Sequence, residues 1–303
     1  MKKYGFISII VLLLLMCCSK QSEEPLKLTV FVNPFIGTDG PGNTYPGATV
    51  PFGMVQLSPD IGIPGWDRIA GYYYKDSIIS GFSHTHLTGT GAGDLCDILV
   101  MPTNSRFNSR IKANNFKPFS KFSHDKEAAS PGYYTVDLLD FGIKAELTAT
   151  SRTGIHKYTF PQDSLSQIHI DLGYALNWDS PTDTYINVVN NTTIQGYRKS
   201  TGWAKDQRIY FEIQVSKPFK SHQLYNNDSL VESSTKGKNT KIILNYQTSE
   251  NEEIILKTGL STANIEGASK SLVIEALDFD FVKYRRKSDS IWERELEKIE
   301  IET

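Results

Sequence analysis

Between residues 26 and 259 the chain is a succession of short apolar segments, many alternating with polar positions at a period of two. Clear examples are Tyr133, Thr135 and Asp137; Ile143, Ala145 and Leu147; Ile168, Ile170 and Leu172; Ile209, Phe211, Ile213 and Val215; and Ile242, Leu244 and Tyr246. Residues 28–32, 98–100, 155–160 and 254–256 add further β-branched or aromatic runs. In an extended strand alternate side chains share one face, so each segment predicts a strand with one buried side. Glycine, proline, asparagine and serine separate them, as turns require. Many short strands with no helix between them predict an all-β fold, a large two-sheet β-sandwich.

The pattern changes after Gly259. Residues 261–276 predict a short helix, with Ser261 or Thr262 as N-cap and Ile265, Ala268 and Leu272 at helical spacing. Residues 279–299 predict a longer one, in which Phe281, Tyr284, Ile291, Trp292, Leu296 and Ile299 form an apolar stripe opposite a charged face. That stripe needs a surface to pack on. The chain stops at Thr303, one strand-like step later, which suggests a connector leading to a further domain.

Residues 1–18 form a separate unit. Lys2 and Lys3 precede an apolar stretch at 9–16 that is too short to cross a bilayer, and Cys17 and Cys18 follow. This resembles a bacterial lipoprotein signal, with Leu15, Met16, Cys17 and Cys18 as the lipobox and Cys18 as the lipidated residue; cleavage before Cys17 would carry the same meaning. Residues 19–25 read as a polar tether with an acidic end, similar to the signals that export Bacteroidetes lipoproteins. The expected location is the outer membrane, through a lipid anchor and facing the cell surface, with a periplasm-facing anchor as the alternative. The implied organisation is signal 1–18, tether 19–25, sandwich 26–260 and helical linker 261–303.

Composition narrows the partners. The chain has 39% hydrophobic and 22% charged residues, with 32 basic against 34 acidic side chains. Without Lys2 and Lys3 the balance is 30 against 34, a net charge of −4, which offers no electrostatic handle for nucleic acid. Of three cysteines only Cys96 would remain in a chain anchored through Cys18, so no internal disulfide is expected.

Candidate chemistry is concentrated in residues 65–102. His84 and His86 would project side by side from a strand, followed by Gly89, Gly91 and Gly93, which permit close approach to the backbone. Asp94 and Asp97 follow, and Trp66, Tyr72, Tyr73 and Tyr74 stand upstream. Rings, acids and a permissive loop suit a polar, uncharged ligand such as a sugar. His-x-His with Asp94 or Asp97 could also ligate a metal. The glycines lack a following helix and a nearby lysine, against a phosphate loop. Asp94 and Asp97 stand too close in sequence to flank a glycosidic bond and read better as turn caps.

Several motifs resemble one family. They are Val32 to Thr38, Pro46 to Ala48, Val50 to Asp60, Gly71 to Tyr74, Gly81 to Leu87 with Gly89 to Gly91, Asp97 to Pro102, and Lys257 to Ser261. Together they resemble the N-terminal half of glycoside hydrolase family 92, calcium-dependent inverting exo-α-mannosidases. The resemblance implies a β-sandwich, a helical linker and an α/α barrel that carries the general acid, the general base and the calcium ligands. This chain would then hold no catalytic residue and no metal ligand, and would lend Trp66, Asp67, His84, His86, Asp39 and Gly40 to a mannose pocket. Its partners would be a mannose-containing glycan, from N-glycans or mannan side chains, and the barrel. A stand-alone surface glycan-binding lipoprotein is the alternative. Trp178, Asp179 and Trp203 remain open as structural or subsite-wall residues, and His124, His156, His169 and His222 have no constellation around them.

Overall fold

The computed structural model describes residues 26–108 and 117–299. Cys18 and the tether lie outside the described residues. Two large antiparallel sheets face each other. The first runs Ala48–Thr49, Gln56–Asp60, Gly81–Ser83, Leu99–Thr103, Asp163–Asp171, Thr240–Thr248, Ser221–Asn226 and Ser229–Val231. The second runs Thr235–Gly237, Ser180–Asn190, Thr193–Thr201, Gln207–Val215, Glu252–Ser261, Thr153–Phe160, Ile143–Ala149, Tyr133–Leu138 and Glu127–Ser130. The fold is the all-β sandwich that the alternating segments predict.

Between the sheets lies one continuous core, in which Phe82, Val100, Ile168, Ile170, Ile242 and Leu244 of the first sheet meet Leu147, Tyr158, Phe211, Ile213 and Leu256 of the second. In Thr193–Thr201 every second residue is buried: Ile194, Gly196, Arg198 and Ser200. An arginine therefore stands at an inward position, and it later proves to be one of the anchors of the loops.

Two helices pack on the outer face of the second sheet. The first, α1, spans Ile265–Glu275 and is capped by Asn264, whose side chain accepts from the Gly267 amide. The expected cap at Ser261 or Thr262 is corrected, because the last strand continues through Ser261. Gly259 lets α1 lie close, since a Cβ there would collide with the Ala268 carbonyl and the Leu272 side chain. The second, α2, spans Phe281–Leu296 with Asp280 as cap. Phe281 and Tyr284 bury against Tyr133, Ile155 and Ala276, and Trp292 Nε1 donates to Thr49 O at 2.7 Å. The stripe from Phe281 to Trp292 thus finds its surface within this chain, while Ile299 lies beyond the helix and is exposed.

The predicted strand at 28–32 is a further correction. Leu28–Phe31 is a 3-10 turn in which Thr29 is buried while Val30 and Phe31 are exposed. The Glu293 carboxylate of α2 accepts the Leu28 and Thr29 amides at 2.6 and 3.0 Å, and Asp289 accepts the Thr29 hydroxyl at 2.9 Å. Those tertiary bonds take up amides that a sheet ladder would otherwise use, and they override the β-branched pattern.

Candidate functional site

Five loops are stitched together at one end of the sandwich. The Gly89 amide donates to Asn43 O at 2.7 Å, Gly65 N to Asn177 Oδ1 at 2.9 Å, and Trp178 N to Gly93 O at 3.0 Å. Asp94 accepts from the amides of Trp203 and Ala204, both at 2.9 Å, and from Gln207 Nε2 at 3.1 Å. Asp94 is therefore the backbone-binding cap that its position suggests, holding one loop against another.

Three of the four tryptophans surface here. Trp66 is 61% exposed, Trp178 50% and Trp203 74%, whereas Trp292 belongs to the second helix and bonds Thr49 O. Thr90, Gly91, Ala92, Trp178 and Trp203 line a shallow depression of about 420 Å³. The ring of Trp66 borders it, because a Cβ on Gly91 would come within 3.0 Å of Trp66 Cη2. Large rings left in water together on one face are unusual in a folded domain. Asp67 is exposed beside Trp66, in the short 3-10 turn Trp66–Arg68. Arg68 holds that turn by a paired contact to Asp76, with both bonds at 2.8 Å.

Asp39 and Gly40 lie at the edge of the same loop group, where the Asp39 carboxylate accepts the Gly40 amide at 2.7 Å and pairs with Lys75 at 3.1 Å. The Lys75 hydrogen bond, assisted by the Gly40 amide, holds the Asp39 carboxyl below the usual range. Gly40 has a φ of +60°, which suits glycine in that turn.

His84 and His86 occupy a different layer. Both are buried, with 0% and 3% exposure, so the expected pair of rings aimed at one surface is corrected. The strand Gly81–Ser83 ends before them, and the period-two rule no longer applies. His84 crosses toward the second sheet, where Gly154 leaves room for its ring. Its Nδ1 is 2.8 Å from Ile98 O and its Nε2 is 3.0 Å from His156 Nε2, while His156 Nδ1 is 2.8 Å from the Tyr158 hydroxyl. The Ile98 carbonyl can only accept, so the proton of His84 is on Nδ1. His156 Nε2 then donates to His84, and Tyr158 donates to His156. Burial pushes His84 down to about 4 and His156 well below its ordinary range, so both rings are neutral at pH 7.

Asp97 anchors the far end of this loop. Arg198, with no exposed side-chain surface, binds Asp97 at 2.5 Å, Asp179, and the carbonyls of Leu172 and Tyr174 at 3.1 and 2.9 Å. Burial drives Asp179 upward against the opposing pull of Arg198. Thr85 donates to Asp97 at 2.7 Å, so Asp97 serves the loop through side chains rather than as a turn cap. His156 and Arg198 are partners of His84 and Asp97 that sequence reasoning missed.

Other histidines take local partners: His124 bonds Glu127 at 2.8 Å and stacks on Tyr74, and His169 bonds Thr103 at 2.9 Å. A more enclosed cavity of about 320 Å³ lies on the outer face of the first sheet, where Lys241 bridges Asp171 and Asp228. Calcium prefers six to eight oxygen ligands. Among the described residues the one group of three ligating side chains is Asp60, His86 and Cys96, a mixed O, N and S set that does not suit calcium.

A family model described as the glycosyl hydrolase family 92 N-terminal domain matches residues 31–261. Among solved structures, the family GH92 alpha-mannosidase BT3965 from Bacteroides thetaiotaomicron is 35% identical with a TM-score of 0.85, covering 92% of this chain and 39% of that one. Its mannoimidazole complex aligns with a TM-score of 0.83 at 36% identity, over 90% of this chain and 37% of that one. The family GH92 inverting mannosidase BT2199 from the same organism is 26% identical with a TM-score of 0.80, over 93% of this chain and 38% of that one. An uncharacterized secreted glycosidase of Arthroderma benhamiae is 25% identical over 300 residues, 88% of this chain and 37% of that protein. The chain thus spans under two fifths of the length of these relatives.

Proposed function

The chain belongs to glycosyl hydrolase family 92, whose N-terminal domain it carries, and on that premise we propose that its exposed loop face contacts the sugar in an inverting α-mannosidase. The observation that carries this is the group of three exposed tryptophans around Gly91. Indole faces pack on the C–H faces of a pyranose, and carboxylates accept its hydroxyl protons. Trp66 and Asp67 supply one such pair, with Asp39 and Gly40 at the rim. His84 and His86 act from beneath, where His84 bonds the Ile98 carbonyl and His86 pairs with Leu95, at the far side of the glycine loop. The substrate is a mannose-containing glycan, from N-glycans or mannan side chains.

In this reading the general acid, the general base and calcium belong to a C-terminal α/α barrel. The residues here do not fit calcium, and none is given a role toward it. This chain binds and orients the ring, which raises effective concentration without moving protons. Alone it has no turnover. Val273, Ile274, Leu277 and Val282 remain exposed on and between the helices, apolar surface that a further domain would cover. Lipidation at Cys18 would place the assembly on the outer membrane. Among the described residues no helix is long and apolar enough to cross a membrane.

A second reading is a stand-alone surface glycan binder, favoured by the fact that all three rings come from this chain. Calorimetry with α-methyl mannoside and a mannan-derived oligosaccharide tests both. If the face contacts sugar, Trp66→Ala and Trp203→Ala weaken binding at least fivefold in the longer protein, with unchanged melting. Binding by this chain alone at comparable strength supports the second reading, and unaltered affinity in both variants removes the sugar-contacting role.

A further inference from the structure

Below the aromatic face, Asp60, His86 and Cys96 bring ligand atoms within 4.8 Å of one another, and all three are buried. Two of these atoms are acceptors placed face to face. His86 Nδ1 lies 2.7 Å from Gln56 O, a carbonyl that can only accept, so the proton of a neutral ring is on Nδ1. Nε2 is then a bare lone pair, and it faces Asp60 Oδ1 at 3.2 Å. The other oxygen, Oδ2, already accepts the Ser83 amide at 3.0 Å. The Ser83 hydroxyl, 3.1 Å from Nε2, and the Cys96 thiol beside Asp60 can each donate a proton here, but the two acceptors still face each other at 3.2 Å in the dry interior, where one cation would bind both.

A proton on Nε2 would join the imidazole to the carboxylate, but would leave the thiol with no part beyond its hydrogen bond to Asp60. A metal uses all three groups. With metal–ligand bonds of about 2.0–2.1 Å, the N to O edge of a tetrahedron is about 3.3 Å, close to the separation seen. The backbone takes an unusual path to bring Cys96 in. Leu95, Cys96 and Ile98 have φ of +75°, +62° and +59°, and for a β-branched residue such as Ile98 this conformation is an outlier. Gly71, at φ +83°, keeps the adjacent space clear: a Cβ there would collide with Asp60 Oδ1 and come within 3.0 Å of His86 Nε2. Ser83 Oγ, 3.1 Å from Nε2, is placed to complete four ligands.

We propose that Asp60, His86 and Cys96 form a structural site for a divalent transition-metal ion, zinc by the softness of the donor set, which pins residues 84–98 under the sugar-contacting face. One carboxylate, one imidazole and one thiolate favour zinc over calcium or magnesium. Closed burial marks the site as structural, loaded during folding. The proposal does not depend on the sugar reading.

The test uses the full chain with Cys17→Ser and Cys18→Ser, so that Cys96 is the only thiol, refolded with cobalt(II) and separately with zinc. Expected are uptake of a single equivalent, tetrahedral d–d bands, a thiolate-to-cobalt charge-transfer band, and loss of that band in Cys96→Ser and His86→Gln. If these variants do not fold, zinc-edge X-ray absorption on the parent decides, with a sulfur neighbour expected at about 2.3 Å. Chelation is expected to lower the melting midpoint of the parent. Absence of the charge-transfer band, a zinc spectrum with nitrogen and oxygen neighbours only, or a midpoint unmoved by chelator would overturn the proposal.

Discussion

Arg198→Met is the substitution whose outcome the packing dictates most firmly. The guanidinium is 0% exposed, and its partners Asp97 and Asp179 have 7% and 0% of their side-chain surface in water. Removing the cation leaves two carboxylates and the carbonyls of Leu172 and Tyr174 in a dry site. Breaking a buried ion pair by deleting one partner typically costs about 3–5 kcal/mol, and each stranded neutral acceptor about 1–3 kcal/mol more. These terms do not add in full. Burial already drives Asp179 upward, so without Arg198 it takes a proton and limits the penalty. We therefore expect a loss of about 3–5 kcal/mol, which lowers the melting midpoint by roughly 6–20 °C for a domain of this size. Arg198→Lys should recover little, because one ammonium cannot reach four acceptors on three segments. Adding Asp97→Asn and Asp179→Asn to Arg198→Met should restore part of the stability, since the stranded charges are then gone. Calorimetric melts at pH 7 read all of these. A loss below about 1 kcal/mol in Arg198→Met, or no recovery in the triple variant, would refute the argument that unpaired charge is what the arginine prevents.

Three further outcomes follow from buried or tethered groups. Unfolded His84 titrates near 6.5 and folded His84 near 4, so folding favours the neutral ring. That stability is complete above 6.5 and is lost as pH falls, by about 3 kcal/mol at pH 4; chemical denaturation across this range checks it, and a flat profile in the parent would contradict it. Lys257, 1% exposed with its Nζ 2.7 Å from Ala276 O, is pushed down to about 8 by burial, against the upward pull of Asp278 and Glu212. Folding therefore favours the neutral amine, and stability should climb by about 2–3 kcal/mol from pH 8 to 10 in the parent but not in Lys257→Met. Glu293→Ala frees the amides of Leu28 and Thr29 and should destabilise the N-terminal turn, with faster hydrogen exchange confined to residues 27–31.

The strands around 133–138, 143–149, 153–160, 163–171, 207–215, 240–248 and 252–261 were legible because their apolar positions follow the backbone's alternation, whereas Ser180–Asn190, Thr193–Thr201 and Ser221–Asn226 carry too many polar residues to show it. Residues 28–32 carried the same signal and misled, because the deciding partner, Glu293, lies more than 260 residues away and alternation cannot report it. The two helices were legible in type, and α1 was misjudged only at its start. At the candidate site, the glycines and rings were visible as composition, but depth was not. His84 and His86 read as a surface pair because the end of a strand at Ser83 leaves no mark in a run of polar residues. The His84 to His156 contact joins two sheets across 72 positions, and no local pattern encodes it. Arg198 was missed as well, because the inward positions of its strand are Ile194, Gly196, Arg198 and Ser200, too few of them apolar to reveal the register.

The most direct test of the central claim is hydrolysis of an aryl α-mannoside, measured for this chain alone and for the same chain joined to a family 92 C-terminal domain, each with and without Trp66→Ala. The account expects no turnover from the chain alone, turnover from the joined protein, and a fall in kcat/KM of at least tenfold when Trp66 is lost. Turnover by the chain alone, or a joined enzyme indifferent to Trp66, would contradict it.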